Sequence, residues 1–242
     1  MTVSAFRALH HGRTSGDPLV LPGPWDAASA RVFADAGFPA LAAPSAGVAA
    51  SVGYKDGATP AAEMFAAVAR IVRAVSVPVS ADIEAGYGLP PKELVERLLD
   101  TGAVGCNLED SADGALLDPQ EQADRLAQVR AAAGERLFIN ARVDTYVRGV
   151  PDGTDPETET IARARLYAAA GADCIYPIAA PPESLPRLAA AVPAPLNVFA
   201  VPDGPTPRRL GELGATRITF GPGLQLQAMA AVREIADRLH AL

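Results

Sequence analysis

Acidic side chains recur in this sequence directly after short apolar runs. Asp82 and Glu84 close VPVSADIEAGYG, Glu109 and Asp110 close AVGCNLED, and Asp144 follows LFINARV. Asp26 follows Trp25 in LPGPWD, and Asp56 stands in GYKDG. Carboxylates gathered at one place repel and raise one another's pKa. A hard divalent cation removes that cost. Mg²⁺ uses few carboxylates, keeps several waters and leaves positions for a substrate oxygen. Arg142 lies among these acids and is costly to bury without an anionic partner. Its planar fork suits an anionic substrate; a salt bridge to Asp144 or Glu109 is the competing use. Ser45-Ala46-Gly47 offers successive backbone N–H groups that can form an anion nest. Asp26 also fits an N-cap for the run that follows it.

These groups need elements that bring them together. Strand-like runs are read at 18–23, 40–45, 77–83, 103–109, 137–143, 172–178, 194–200 and 215–220. Runs between them, such as AAEMFAAVARIVRAV, repeat apolar residues at spacings of three and four, which makes one buried helical stripe. Pro60, Pro91, Pro119, Pro156 and Pro207 stand at helix starts, where a missing N–H costs nothing. Gly37, Gly102, Gly171 and Gly214 stand at helix ends. The strands read as apolar on both faces, the pattern of parallel strands covered by helices. Eight such units point to an α/β (β/α)₈ TIM barrel, with chemistry on the loops at the C-terminal strand ends. An open doubly wound sheet is the alternative, and no G-x-G-x-x-G follows the first strand to support it.

Alternation along the third strand puts Asp82 and Glu84 on one side, whereas Asp110 falls out of phase with Glu109 and points toward the helix layer. Asn197, on the seventh strand, is a further candidate for the mouth. Residues 145–157 read as a surface loop after the fifth strand, from which Tyr146 or Arg148 could donate a proton.

Composition narrows the function. The 242 residues are 49 % hydrophobic and 20 % charged, enough to bury a large core. We expect one barrel domain over 1–242, with 1–17 as an N-terminal extension carrying solvated His10 and His11. Net charge is −7 and the cations are scattered, so no basic footprint for nucleic acid exists. No apolar run is long enough to span a membrane. The first residues lack a signal-type apolar stretch, which leads us to expect a cytoplasmic protein. Cys106 and Cys174 read as buried small side chains.

With these motifs in view, the sequence resembles the isocitrate lyase/phosphoenolpyruvate mutase superfamily from about Leu21 to Leu226. The segments that carry the resemblance are LPGPWDAASARVFADAGFPAL, PSAGVAASVGYKDG, SADIEAGYG, NLEDS, INARVDTY and PLNVFA. It implies a barrel that binds Mg²⁺ (or Mn²⁺) and α-keto acids or their enolates. Asp82 matches the aspartate that binds the metal, and Glu84 stands where many members have a second aspartate. Asp56 and Glu109 match acidic groups around the metal-bound waters. Ser45, Ala46 and Gly47 match the backbone cradle for the substrate carboxylate, and Arg142 the arginine at the keto-acid end. Trp25 and Asp26 fall where the family shapes the pocket floor. The resemblance also implies a homo-oligomer, dimer or tetramer, that exchanges its last helix. The family's lyases carry a Lys-Lys-Cys-Gly-His-like loop after the fourth strand, and its mutases a loop bearing Lys and Asn. This chain has only SADGALLDPQ there. The expected function is a Mg²⁺-dependent lyase that cleaves or forms a C–C bond in a small 2-hydroxy or α-keto acid through a metal-stabilised enolate. Phosphonomutase or phosphonate hydrolase chemistry, and a barrel that binds keto acids without turnover, are the alternatives.

Overall fold

The computed structural model describes residues 2–150 and 154–241. Eight short parallel strands form within the predicted ranges: β1 (Leu19–Val20), β2 (Leu41–Ala43), β3 (Val79–Asp82), β4 (Gly105–Glu109), β5 (Phe138–Val143), β6 (Cys174–Pro177), β7 (Asn197–Phe199) and β8 (Arg217–Thr219). Strands β2 to β6 pair in sequence order, and β1, β8 and β7 pair in that order. A parallel bridge between Ile175 and Leu196 joins β6 to the β7 side. The Ala42 N–H donates to the Pro22 carbonyl at 3.0 Å and joins β1 to β2. The ring is thereby closed as a (β/α)₈ barrel.

Helices follow each strand, and the proline and glycine positions account for their ends. Pro91, Pro119, Pro156 and Pro207 are first residues of helices, and Pro60 caps Ala61–Arg73. The four helix-end glycines adopt φ between 82° and 110°, a region open to residues without a Cβ.

The main apolar core lies between the strands and the helices. Cys106, Leu108, Ile139, Ala141 and Val143 face it, packed with Leu126, Val129 and Ala133 of helix Pro119–Ala133. In β4 and β5 the intervening residues are Asn107, Glu109, Asn140 and Arg142, so these strands alternate rather than being apolar on both faces. Outward positions meet the helices. Inward positions meet the barrel axis, where polar groups pair across strands, as the Asn140 amide does with Asn107 Oδ1 at 2.7 Å.

Two expectations, on His10 and on residues 145–157, need correction. His10 is buried, not solvated. Helix Val3–Ala8 buries Phe6, and Phe6 and His10 pack on Phe138, the His10 ring stacked at 4.1 Å. Burial of this apolar cluster offsets the cost of enclosing the imidazole, whose pKa falls to about 3. Residues 145–157 are not a continuous loop: Thr145–Arg148 is a helical turn and the next helix begins at Pro156, while 151–153 lie outside the described residues. The SADGALLDPQ segment forms a hairpin, Ser111–Ala112 with Ala115–Leu116. Its two-residue turn, Asp113-Gly114, has φ of 51° and 84°, and Asp-Gly suits a turn with both residues at positive φ.

Helix Gly223–His240 follows β8 and leaves most of its residues exposed. Among the described residues no helix is long and apolar enough to cross a membrane.

Candidate active site at the C-terminal strand ends

β3, β4 and β5 are adjacent, and their registers align Asp82 with Asn107 and Glu109 with Arg142. Three acid-bearing strand ends therefore meet at one mouth. Arg142 is the hub. Its Nη1 lies 2.7 Å from Glu109 Oε2 and 3.8 Å from Asp82 Oδ2. Its Nε and Nη2 donate to the two oxygens of Asp144 at 2.7 and 2.9 Å. The fork reserved at the sequence level for a substrate anion is thus engaged in salt bridges to Asp144 and Glu109. Burial opposes the Arg142 charge, but Asp82, Glu109 and Asp144 outweigh it and hold its pKa above the ordinary value.

One guanidinium does not neutralise these acids. Burial, then the charges of Asp82 and Asp56, raise Glu84 to about 7. Burial raises Glu109 to about 8 despite Arg142, and burial also raises Asp82. The Oε1 atom of Glu84 is buried without a partner among the described residues. Asp56 is exposed at the rim, near enough for its charge to act on Asp82 and Glu84.

Alternation does not place Glu84, because β3 ends at Asp82. The chain turns, Glu84 takes φ 52°, and its N–H donates to Asp82 Oδ1 at 3.2 Å. The two carboxylates remain neighbours through a turn rather than a strand face. The Glu109 N–H ties this turn to β4 by donating to the Glu84 carbonyl at 3.0 Å.

Asp110 does point into the helix layer. It is fully buried and accepts from Tyr167 Oη at 2.8 Å, from Arg163 Nη1 at 3.1 Å and from the Asp144 N–H at 2.8 Å. Ser111 donates to Asp144 at 2.7 Å, and Arg148 Nε lies 3.9 Å from the same carboxylate. Asp144 is therefore fixed from three sides and in turn fixes Arg142.

Ser45 begins helix Ser45–Ser51 immediately after β2. The backbone N–H groups of Ser45, Ala46 and Gly47 make no hydrogen bond among the described residues, as expected for a first helical turn. Asp26, read both as an N-cap and as part of the pocket floor, takes the first use. Its carboxylate accepts from the Ser29 N–H at 2.7 Å in a capping box, so it is spent on helix Ala27–Asp35. Trp25 lines an outer groove with Arg31, Ser51 and Arg70. Asn197 requires correction. It is fully buried and its amide donates to Thr219 Oγ1 at 3.2 Å, so it belongs to the barrel interior rather than to an open mouth.

Sequence reasoning named Asp144 only as a salt-bridge partner for Arg142 and gave it no place in the site, although its position after β5 is on the same footing as that of Glu109 after β4. Tyr87 stands between Gly86 and Gly88, and its residue type alone gives no sign of a site role. Its hydroxyl is buried, and burial, then Glu84, Asp82 and Glu109, raise its pKa. Tyr146 sits by Ser184 and Thr160, and the charges that reach it are Glu157 and Asp155 rather than those of the mouth.

The donor set fits a hard cation. Carboxylate oxygens suit Mg²⁺ and Mn²⁺, and the partnerless Glu84 oxygen and the raised acids call for positive charge. No group of three or more acidic, His or Cys side chains stands at metal-holding spacing among the described residues. An ion there would be held by one or two carboxylates and would take its remaining positions from water and substrate.

The family profile described as phosphoenolpyruvate phosphomutase matches residues 6–240. A candidate phosphonomutase from Burkholderia cenocepacia J2315, known from its crystal structure, is 43 % identical, covers 98 % of both chains and superposes with a TM-score of 0.90. The 2-methylisocitrate lyase of Bacillus subtilis (strain 168) is 30 % identical over 215 residues, 84 % of this chain and 68 % of that one. The crystal structure of 2,3-dimethylmalate lyase is 28 % identical with a TM-score of 0.86, over all of this chain and 88 % of that one.

Proposed function

The chain belongs to the phosphoenolpyruvate mutase/isocitrate lyase superfamily, and from that premise we propose that it is a Mg²⁺-dependent lyase breaking or forming a C–C bond in a small 2-hydroxy or α-keto acid. The observation that carries this reading is the partly buried Asp82–Glu84–Glu109 cluster, raised in pKa and only partly neutralised by Arg142. Asp82 and Glu84 would hold the ion. Bound there, it would polarise the substrate's keto and carboxylate oxygens and stabilise negative charge as the bond breaks. Arg142, steadied by Asp144, would supply positive charge beside the ion site toward the substrate's anionic end. The first-turn N–H groups of Ser45, Ala46 and Gly47 orient a carboxylate. Glu109, raised by burial, is the acid placed beside the ion site to pass a proton to a departing or incoming group.

The test is Mn²⁺ titration with and without oxalate, for wild type and Asp82→Ala. Expected are Mn²⁺ binding tightened by oxalate in wild type and loss of both in the variant. No binding in wild type, or binding retained in Asp82→Ala, overturns the site. Turnover of a panel of 2-hydroxy acids and phosphono acids then divides the readings. Release of a keto acid by carbon–carbon cleavage supports the lyase; turnover of only a phosphono acid supports the second reading, which the 43 % identity to the candidate phosphonomutase favours.

We also propose self-association through helix Gly223–His240. Leu226, Met229, Val232, Ile235 and Leu239 recur at helical spacing and are 43–66 % exposed, an apolar stripe that a second copy would cover.

A further inference from the structure

We propose that Arg125 is a positioning residue for the metal-binding turn. It lies on helix Pro119–Ala133, outside the barrel, and touches none of the acids. The inference rests on the reading that Asp82 and Glu84 hold a divalent ion.

The turn that follows β3 is unusual backbone. Glu84, Gly86, Tyr87 and Gly88 take φ of 52°, 85°, 56° and 69°. Side chains other than glycine enter this region only where the surroundings enforce it. Within the turn, the Gly86 N–H donates to the Ile83 carbonyl at 2.9 Å and the Leu89 N–H to the Gly86 carbonyl at 3.0 Å. The Tyr87 ring packs edge-on against Phe65 at 5.8 Å.

Arg125 supplies the external tie. Its Nη2 donates to the Ala85 carbonyl at 3.1 Å and the Leu89 carbonyl at 3.3 Å, one on each side of the Gly86–Gly88 stretch. Among the described residues this guanidinium forms no ion pair, so these carbonyls are its polar partners. It rests on the bare face of Gly86: a Cβ there would lie 2.6 Å from Nη2 and 2.9 Å from Leu94 Cδ2. Glycine at 86 thus serves two needs, the positive φ and the approach of Arg125. Closing the turn fixes where Glu84 presents its carboxylate relative to Asp82. Groups that orient metal ligands from behind are commonly worth 10–100-fold in metal affinity.

The test compares Arg125→Gln and Arg125→Lys with Val129→Ala, which weakens the same helix on its core face. Two quantities are read: Mn²⁺ affinity, and amide hydrogen exchange at Gly86 and Leu89 in the metal-free protein. Arg125→Gln is expected to speed both exchanges about tenfold or more and to weaken Mn²⁺ about 10–100-fold. Arg125→Lys, keeping the charge without the fork, falls between. Val129→Ala lowers thermal stability but leaves Mn²⁺ affinity as in wild type. Unchanged exchange in Arg125→Gln, unchanged affinity, or equal weakening by Val129→Ala overturns the proposal. If Arg125→Gln does not fold, Arg125→Lys decides on the same two readings. If wild type binds no Mn²⁺, the metal reading fails, and with it the positioning role toward a metal; faster exchange would then leave Arg125 only as a brace of the turn.

Discussion

Replacing Glu84 by Gln should make the metal-free protein more stable at pH 8 and less responsive to metal. Glu84 is raised from 4.5 to about 7, chiefly by burial and then by Asp82 and Asp56. A shift of that size corresponds to roughly 3 kcal/mol. Solvent at the mouth screens part of it, leaving roughly 1–2 kcal/mol. The folded protein keeps a proton on Glu84 that the unfolded chain has released between about 4.5 and about 7. That stability is whole below 4.5 and is lost as pH rises through about 7. Glutamine has nearly the same shape and no charge to lose. In EDTA at pH 8, thermal unfolding of Glu84→Gln should lie roughly 2–8 °C above wild type, at 2–4 °C per kcal/mol for a chain of this size. The gain should shrink as pH falls toward 4.5. With saturating Mg²⁺ the order should close or reverse, because binding at 100 times Kd adds about 2.7 kcal/mol to whichever protein binds. A variant no more stable than wild type at pH 8, or a gain that persists undiminished at pH 5, would refute the argument that Glu84 is an unmet charge.

Two further outcomes follow from other parts of the molecule. Arg163→Met leaves the buried Asp110 carboxylate with Tyr167 and the Asp144 N–H but no cation; a loss of about 3–5 kcal/mol is expected in denaturant unfolding, and a loss below about 1 kcal/mol would show that Asp110 is neutral in the fold. Leu226→Glu with Val232→Glu places charge on the exposed stripe of the last helix; light scattering should find oligomers for wild type and monomers for the variant, and a monomeric wild type would dispose of the self-association proposal.

Much of the fold was legible because its signals are local. Each of the eight strands falls inside a run marked by apolar residues, and helix starts and ends carry proline and glycine at positions fixed by backbone sterics. The hairpin at Asp113-Gly114 was equally local in cause, but its flanking residues, Ser111-Ala112 and Ala115-Leu116, are too few to give a periodic signal. His10 was misread for a different reason. The residues that follow it, His11 and Arg13 to Ser15, are polar, and the docking of helix Val3–Ala8 against Phe138 removes it from water.

Residue types and spacing alone determined that acids end several parallel strands, and hence that a barrel would gather them at one mouth. Asp82, Glu84, Glu109 and Arg142 follow from that reasoning. Tertiary structure alone decided how their charges are shared. Whether Asn197 is open or enclosed, that Arg142 is shared with Asp82 and Glu109 as well as its neighbour Asp144, and that Ser111 and Asp110 fix Asp144 all depend on contacts between residues distant in sequence or on burial that no local pattern encodes. Charge interactions vary with separation and local dielectric, and both are set only when the strands close into a ring.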